Sequence, residues 1–535
     1  MKKISFNLVL RRMVFLFTII QMIILLACKT ESKDSCKLED NFRFLEYDIS
    51  QLQQGYKDGT YTIVEVVSAY LERIETIDRN GPALNSIIMI NPDALIIAEK
   101  LDIELANGMC RGPLHGIPIV LKDNIDTHDK MPTTAGSRAL MNSFPPNDSH
   151  VAKQLKDAGA IIIGKANLSE WANFRGELST SGWSGVGGQT KNPYNLSRNP
   201  CGSSSGSAVA VSANLAMLAI GTETNGSIVC PSHATGIVGL KPTVGLVSRS
   251  GVIPISYTQD SPGPMARTVR DAAICLGIIV GIDEDDEKTL GSEGKFYKDY
   301  NQFLKEGGLK GKRIGFFKAP LNINFKVDTL MYQTIELLKR EGATIIELDE
   351  ISKERTGAFS FQVMLYEFKD GLNKYFKSLG PDAPIKNLEE LIVFNLTDSI
   401  ELMHFDQKYL LMAQEKGDLN SSEYREALKR LKKGSSEQGI DRVMNDYNLD
   451  AIIAPTGSPA WKTDLINGDS FQLGSSSPSA HAGYPIITLP MGYIDGLPVG
   501  VSFFGKAWSE PVLLEIAYSY EKVTNHRKAP KIIDR

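Results

Sequence analysis

The fold is decided by one stretch of the sequence, which reads Cys201-Gly-Ser-Ser-Ser-Gly-Ser-Ala-Val-Ala-Val-Ser-Ala-Asn-Leu-Ala-Met-Leu-Ala-Ile-Gly-Thr-Glu-Thr-Asn-Gly-Ser227. The surrounding residues 182–251 hold 12 of the 46 glycines and a single acidic residue, Glu223. A flexible linker can be equally rich in glycine and serine, but it would not contain the apolar run 208–220. We therefore expect a packed core segment, with a helix of small residues over 208–220, whose glycines let the backbone approach other backbone or a ligand closely.

Alternating helical and strand patterns flank this stretch. Thr62 and Glu65 have capping-box spacing, and the apolar residues that follow recur on one helical face, which predicts a helix over 62–78. Uninterrupted apolar runs bounded by glycine, proline or polar residues predict buried strands. Helices are predicted over 151–158 and 330–340, and strands over 116–121, 160–163, 344–348 and 450–454. This order indicates an α/β fold with a central mixed β-sheet covered by helices on both faces.

The composition is that of a globular protein with a large core. The 535 residues are 42% hydrophobic and 23% charged, which excludes a disordered chain, a collagen-like repeat and a small disulfide-stapled protein. We expect a single large domain over 42–535. Its core would span about 110–280 together with 446–525, and the charged segment 283–445 would form a helical covering subregion.

The N-terminus has the pattern of a targeting signal. Four basic residues within 1–12 precede the apolar run 13–27, which is too short to span a membrane. The ending Leu25-Leu-Ala-Cys28 resembles a bacterial lipoprotein signal, so we expect a signal peptide over 1–27, a lipid on Cys28 and a flexible tether over 28–41. An uncleaved anchor and simple secretion are the alternatives. The expected location is the bacterial cell envelope, either lipid-anchored, in an outer membrane if one exists, or periplasmic.

The charge distribution argues against nucleic acid as a partner. The formal charge of −5 becomes −9 without residues 1–27, and no basic block is present. An acidic body does not bind anionic lipid, so membrane contact would rest on the Cys28 lipid alone. The remaining cysteines contain no CxxC pair, which suggests neither a zinc site nor a disulfide framework, although Cys201 and Cys230 flank the two glycine-rich loops. The sequence does not define an oligomeric state.

Lys122 and two serines suggest a nucleophilic site. A serine hydroxyl is a weak nucleophile near neutral pH and needs an adjacent base. Lys122 follows the buried strand 116–121, and burial disfavours its charged form, so it can act as that base. The alternatives are a surface ion pair of Lys122 with Asp123 or Asp126, and His233 as the base.

Several spaced motifs resemble the amidase signature family over about residues 45–525. A lysine after an apolar strand, a glycine- and serine-rich loop, and a second loop whose serine lies 24 residues further on are all present. The further matches are Gly188-Gln-Thr-Lys-Asn-Pro193, Gly236-Ile-Val-Gly-Leu-Lys-Pro-Thr243, Gly263-Pro-Met-Ala-Arg267, Ala482-Gly-Tyr-Pro485 and Gly496-Leu-Pro-Val-Gly500.

The resemblance implies a Ser-cisSer-Lys triad. In that arrangement Ser227 attacks the amide carbonyl, Ser203 relays the proton after a cis peptide bond, and Lys122 accepts it. Backbone N–H groups of the turn Thr224-Asn225-Gly226 would form the oxyanion hole, and Ser179 aligns with a substrate-lining position of the family. The resemblance implies no metal and no cofactor.

Three residues of the two glycine-rich loops depart from the family pattern. Asn225 stands where the wider family has glycine, and Cys201 and Ser205 replace glycines of the first loop, which makes the chain look most like the bacterial peptide amidases. We therefore expect a serine amidohydrolase that forms an acyl-enzyme and deamidates C-terminal amides of peptides, releasing ammonia. The alternatives are an amidase for aliphatic, aryl or fatty acyl amides and a non-catalytic substrate-binding lipoprotein.

Overall fold

The structure is a computed structural model that describes residues 41–532. The predicted signal over 1–27 and Cys28 lie outside these residues, as does the predicted tether except for Asn41. The chain from Phe42 onward forms one compact unit. Among the described helices, none combines the length and the apolar character needed to cross a membrane.

Thirteen strands and fifteen α-helices are used as landmarks within residues 41–532. The strands are β1 (Ile87–Ile90), β2 (Pro118–Lys122), β3 (Ile161–Ala166), β4 (Trp183–Ser184), β5 (Gly188–Gln189), β6 (Leu218–Glu223), β7 (Val238–Lys241), β8 (Ser261–Ala266), β9 (Arg313–Phe317), β10 (Thr344–Leu348), β11 (Ala451–Pro455), β12 (Ile486–Ile494) and β13 (Leu497–Phe504). The helices are α1 (Ile49–Lys57), α2 (Ile63–Arg73), α3 (Ala94–Ala106), α4 (His150–Asp157), α5 (Ser205–Ser212), α6 (Val229–Ala234), α7 (Val269–Ile279), α8 (Phe325–Arg340), α9 (Gly357–Ser378), α10 (Leu388–Thr397), α11 (Lys408–Gln414), α12 (Ser422–Lys432), α13 (Asp441–Asp446), α14 (Ser477–Ala482) and α15 (Glu510–Thr524).

Eleven of these strands form one sheet, in the order β1-β3-β2-β6-β8-β7-β12-β13-β11-β9-β10. β2 pairs in parallel with β3 and β6, and β9 pairs in parallel with β10 and β11, whereas the strands between these two groups are antiparallel. The fold is a single large α/β domain with a mixed sheet flanked by helices, as the alternating patterns predicted.

Most of the elements predicted from local sequence patterns are present in the structure. The capping box of α2 is present, with Thr62 Oγ1 accepting from Glu65 N at 3.1 Å and Glu65 accepting from Thr62 N at 2.8 Å. A π-helical turn, Ile74–Arg79, continues α2. The helices predicted over 151–158 and 330–340 are α4 and α8, and the predicted strands are β2, β3, β10 and β11.

The helix predicted over 208–220 is wrong for most of its length. α5 ends at Ser212, and Leu218 opens strand β6, which pairs with both β2 and β8. Asn214 adopts a left-handed conformation, with φ +58°, which stops the helix and turns the chain into the sheet. The small residues are buried as expected.

Besides the expected helices and the strand predicted over 344–348, the segment 283–445 contains strand β9. It supplies β9 and β10 at one edge of the main sheet, in addition to α8 to α12. Strands β9, β10 and β11 pair in parallel, so this segment extends the same sheet that carries the C-terminal strands.

The candidate site lies at the carboxyl ends of strands β2 and β6. β2 and β6 are parallel neighbours, so their carboxyl ends meet on the same side of the sheet. Lys122 is the last residue of β2, and the chain leaves β6 at Glu223 to form the turn that ends at Ser227. Loops at the carboxyl ends of parallel strands are the usual place for a ligand in α/β sheets.

Candidate active site

Lys122 is completely buried at the carboxyl end of β2. Its Nζ lies 2.8 Å from Ser203 Oγ and 2.8 Å from Thr222 Oγ1, and it donates to the Thr222 carbonyl at 3.2 Å. Burial lowers the pKa of Lys122 to about 7, against smaller opposing effects of Asp260 and Glu223. The amine is therefore half neutral near pH 7, as a general base must be.

The alternatives considered for the base do not match this geometry. Lys122 is not at the surface, and Asp123 and Asp126 are engaged elsewhere: Asp123 accepts from Thr134 and Asp126 accepts from Tyr375 OH at 2.8 Å. His233 is buried, its Nδ1 accepts from Gly500 N at 3.2 Å, and burial lowers its pKa to about 4. His233 therefore has a packing role.

Ser203 follows a cis peptide bond between Gly202 and Ser203. Its side chain is 1% exposed, and its carbonyl accepts from Ser169 N at 3.0 Å. A Cβ on Gly202 would lie 2.2 Å from Ser169 Oγ, so only glycine fits there without displacing a neighbour.

Ser227 lies in the turn after β6 and lines the same cavity as Ser203. The two loops are held together because Ser204 N donates to the Ser227 carbonyl at 3.1 Å. On the other side, the Glu223 carboxylate accepts from Ile228 N at 2.8 Å and from Val229 N at 3.0 Å. Both ends of the turn are thus fixed by hydrogen bonds.

The turn Thr224-Asn225-Gly226 lines the cavity. Gly226 adopts φ +85°, and within residues 41–532 the N–H groups of Asn225, Gly226 and Ser227 donate to no other protein atom. The Asn225 side chain turns toward α14, where it accepts from Ser476 Oγ at 2.8 Å. These N–H groups are therefore available to bind a ligand atom.

Asp260 supports this turn and was not singled out by the sequence. Its carboxylate accepts from Thr224 Oγ1 at 2.6 Å and from Ile255 N and Ser256 N at 2.8 Å each. Burial raises the pKa of Asp260 to about 6. Thr222, which contacts Lys122, was also missed; its only signal is its place in the Gly221-Thr-Glu-Thr motif.

A disulfide bond joins Cys201 and Cys230. Cys201 precedes Ser203 by two residues and Cys230 follows Ser227 by three, so the bond ties the two serine loops together. The sequence indicated their flanking positions but could not pair them.

The cavity that contains both serines has a volume of about 460 Å³. Its apolar walls are provided by Phe174, Ile255, Met364, Tyr409, Trp461 and Phe471. Ser179 also lines it, but the Ser179 hydroxyl donates to Gly176 O at 3.0 Å and lies 3.1 Å from Asn173 Oδ1. Ser179 therefore stabilises its own loop in this structure.

The comparisons with known proteins identify amidases as relatives of this chain. A family model described as Amidase matches residues 65–514. A probable amidase of Arabidopsis thaliana is 41% identical over 516 residues, covering 94% of each chain. A putative amidase of Schizosaccharomyces pombe is 36% identical, covering 92% of this chain and 88% of the relative. The solved structure of the native peptide amidase from Stenotrophomonas maltophilia superposes with a TM-score of 0.89 at 47% identity, covering 92% of this chain and 99% of that one.

The chain belongs to the amidase signature family. It is a serine amidohydrolase, an enzyme that hydrolyses carboxamide C–N bonds.

The same comparisons correct the expected location. The chain was expected in a bacterial cell envelope, either lipid-anchored through Cys28 or periplasmic, but the amidases that match at 41% and 36% identity come from a plant and from fungi. The relatives contradict a bacterial-envelope location. The expected location rested only on the pattern of residues 1–28, which lie outside the described residues.

Proposed function

We propose that this amidase deamidates the C-terminal amides of peptides, with Ser227 as nucleophile, Ser203 as proton relay and Lys122 as base. The observation that carries the proposal is the 2.8 Å contact between Lys122 Nζ and Ser203 Oγ inside a fully buried environment. A neutral lysine amine has one lone pair, which can accept the Ser203 proton while its N–H groups donate to Thr222.

Acylation transfers one proton along two links. Ser227 Oγ attacks the amide carbon, its proton passes to Ser203 Oγ, and the Ser203 proton passes to Lys122 Nζ. When the tetrahedral intermediate collapses, the C–N bond breaks and the proton returns from Lys122 Nζ through Ser203 Oγ to the leaving nitrogen, which departs as ammonia. Water then attacks the ester on Ser227 by the same relay and releases the free acid.

The oxyanion would be stabilised by the turn before Ser227. The N–H groups of Asn225, Gly226 and Ser227 are free of other protein partners within the described residues, and Asp260 and Glu223 fix the turn from behind. Donors that are already oriented need no reorganisation as negative charge develops, and removal of one such donor typically costs about 100- to 1,000-fold in kcat.

The substrate class is supported by the likeness to a peptide amidase and by the cavity. The Stenotrophomonas maltophilia structure is 47% identical over almost its whole length. The cavity of about 460 Å³ is in the range that encloses one small ligand, and its apolar walls suit the side chain of an amidated residue.

The test is a panel of amidated peptides, simple aliphatic and aryl amides, and fatty acyl amides. Ammonia and the acid product are measured by mass spectrometry, for the parent enzyme and for Ser227→Ala. The matched control is Ser422→Ala, because Ser422 is an exposed serine at the start of α12, outside the cavity.

The expected result is efficient release of ammonia from peptide amides by the parent and by Ser422→Ala, and none by Ser227→Ala. A preference for simple or fatty acyl amides over all peptide amides would refute the substrate assignment. Retained turnover in Ser227→Ala would refute the nucleophile assignment.

A further inference from the structure

A strap formed by residues 458–473 separates the catalytic cavity from a second, larger cavity. Its ends are joined by an antiparallel bridge between Gly457 and Gly474. The second cavity has a volume of about 1120 Å³. Trp461, Asn467 and Asp469 of the strap line both cavities, so the two cavities border each other along the strap.

The border is held in place by hydrogen bonds to the catalytic core. The Asp469 carboxylate accepts from Ser181 N and from Trp461 Nε1, each at 3.1 Å. The Trp461 carbonyl accepts from Asn199 N at 2.8 Å, two residues before the disulfide-bonded Cys201. These hydrogen bonds fix the strap, which forms one wall of the second cavity, to the segments next to the serine loops.

Two large apolar side chains, two residues apart in the sequence, line the largely polar cavity on the far side of this wall. Ile323 and Phe325, at the start of α8, are 52% and 75% exposed and line the second cavity. Exposed large apolar side chains grouped next to an active site indicate a contact surface for a ligand.

The charges around the second cavity are balanced. Lys326 and Asp495 form an ion pair at 2.6 Å, and the remaining charged groups are two basic and two acidic side chains. These are Arg198, Lys462, Asp464 and Asp469. A balanced polar lining excludes a preference for a polyanion and is unsuited to a fatty acyl chain, which requires continuous apolar walls.

An extended peptide fits this combination of properties. Its main chain is polar and neutral, and its side chains alternate in direction, so separate apolar residues can contact every second one. The catalytic cavity, with a volume of about 460 Å³, is in the usual range of a small-molecule site, whereas the second cavity, with about 1120 Å³, exceeds that range.

We propose that the second cavity binds the residues of a peptide amide that precede its amidated C-terminal residue, with Phe325 as their main apolar contact. The inference rests on the proposed function. The chain would cross the border at Asn467, an exposed residue between the cavities, and continue toward α8. Each extended residue advances about 3.3–3.6 Å, so a few residues suffice to leave the catalytic cavity.

The test is a series of N-acetylated peptide amides that share one C-terminal residue and contain one to five residues. The value of kcat/KM is expected to rise about tenfold or more between one and four residues, which corresponds to the partial burial of one large apolar side chain. Phe325→Ala is expected to remove most of that gain and to leave the one-residue substrate unchanged.

Two further variants sharpen the result. Phe144→Ala removes an equally apolar side chain that is 54% exposed and lines neither cavity, so its length dependence should equal that of the parent. Ser470→Trp fills the second cavity at an exposed position of the strap and should also abolish the gain for long peptides while sparing the short one.

The outcomes separate the two proposals. If kcat/KM is independent of peptide length, or if Phe325→Ala and Phe144→Ala behave alike, the second cavity is not a peptide site although the deamidation of short peptides still stands. If a gain with chain length appears only for fatty acyl amides, the cavity binds acyl chains and the inference is wrong. If no peptide amide is hydrolysed, the proposed function fails and the inference fails with it.

Discussion

The pH dependence of catalysis should report the protonation of Lys122. The pKa of Lys122 falls from 10.5 to about 7 because the side chain is completely buried, a depression that corresponds to about 5 kcal/mol. At pH 7 the neutral fraction of the amine is thereby raised about a thousandfold over that of an exposed lysine. Only the neutral amine accepts a proton from Ser203, so activity is lost as pH falls.

The expected profile of kcat/KM has a plateau above about pH 7 and falls about tenfold for each pH unit below it. The assay is steady-state hydrolysis of a primary amide between pH 5 and pH 9, with thermal unfolding measured at each pH. His233 and His481 are buried with pKa values lowered to about 4, so neither causes the acid limb of the profile, the fall of kcat/KM below pH 7.

Asp260 titrates in the same pH range as Lys122. The variant Asp260→Asn distinguishes the effects of these two groups on the pH profile. Burial raises the pKa of Asp260 to about 6, and its negative charge raises the pKa of Lys122. Asp260→Asn can keep the hydrogen bonds to Ile255 N and Ser256 N through its amide oxygen. Loss of the negative charge should lower the pKa of Lys122 and move the acid limb to lower pH.

Lys241→Met is the matched control. Lys241 is also completely buried, with a pKa lowered to about 8 by burial, but its Nζ donates to the Pro242 carbonyl and lies outside the catalytic cavity. This variant should leave the midpoint of the limb unchanged. Lys122 is not the titrating base if kcat/KM of the parent does not fall below pH 7, or if Asp260→Asn moves this fall to higher pH.

Two structural features near the serines give further expectations. Replacing both Cys201 and Cys230 by alanine should lower the free energy of unfolding by about 3–4 kcal/mol, because the bond closes a loop with a sequence separation of 29; chemical denaturation measures this, and an unchanged midpoint would contradict it. Gly202→Ala should destabilise the protein by about 1–3 kcal/mol and reduce kcat, since its Cβ would meet Ser169 Oγ at 2.2 Å; a fully active variant of parental stability would show that the loop can shift without cost.

Local sequence patterns were sufficient where an element depends on its own residues. The apolar run before Lys122 predicted a buried strand that ends at a lysine, and β2 has this form. The capping box of α2 was readable because its two hydrogen bonds lie within four residues of each other. The resemblance to the amidase signature family implied that Ser203 and Ser227 belong to one site, and both line one cavity.

Patterns failed where partners distant in sequence decide the structure. The small apolar residues after Asn214 suit a buried helix or a buried strand equally well, and pairing with β2 and β8 selects the strand. The strap could not be predicted from the sequence because the hydrogen bond that holds it joins Asp469 to Ser181, 288 residues away. The Cys201–Cys230 bond likewise depends on how the two serine loops pack.

The most direct measurement is the site of covalent labelling by a serine-directed fluorophosphonate, mapped by mass spectrometry of proteolytic peptides. If Ser227 is the nucleophile, a single adduct forms on the peptide that contains Ser227, labelling slows below pH 7 in parallel with turnover, and Ser227→Ala is not labelled. An adduct on another residue, or undiminished labelling of Ser227→Ala, would contradict the catalytic assignment.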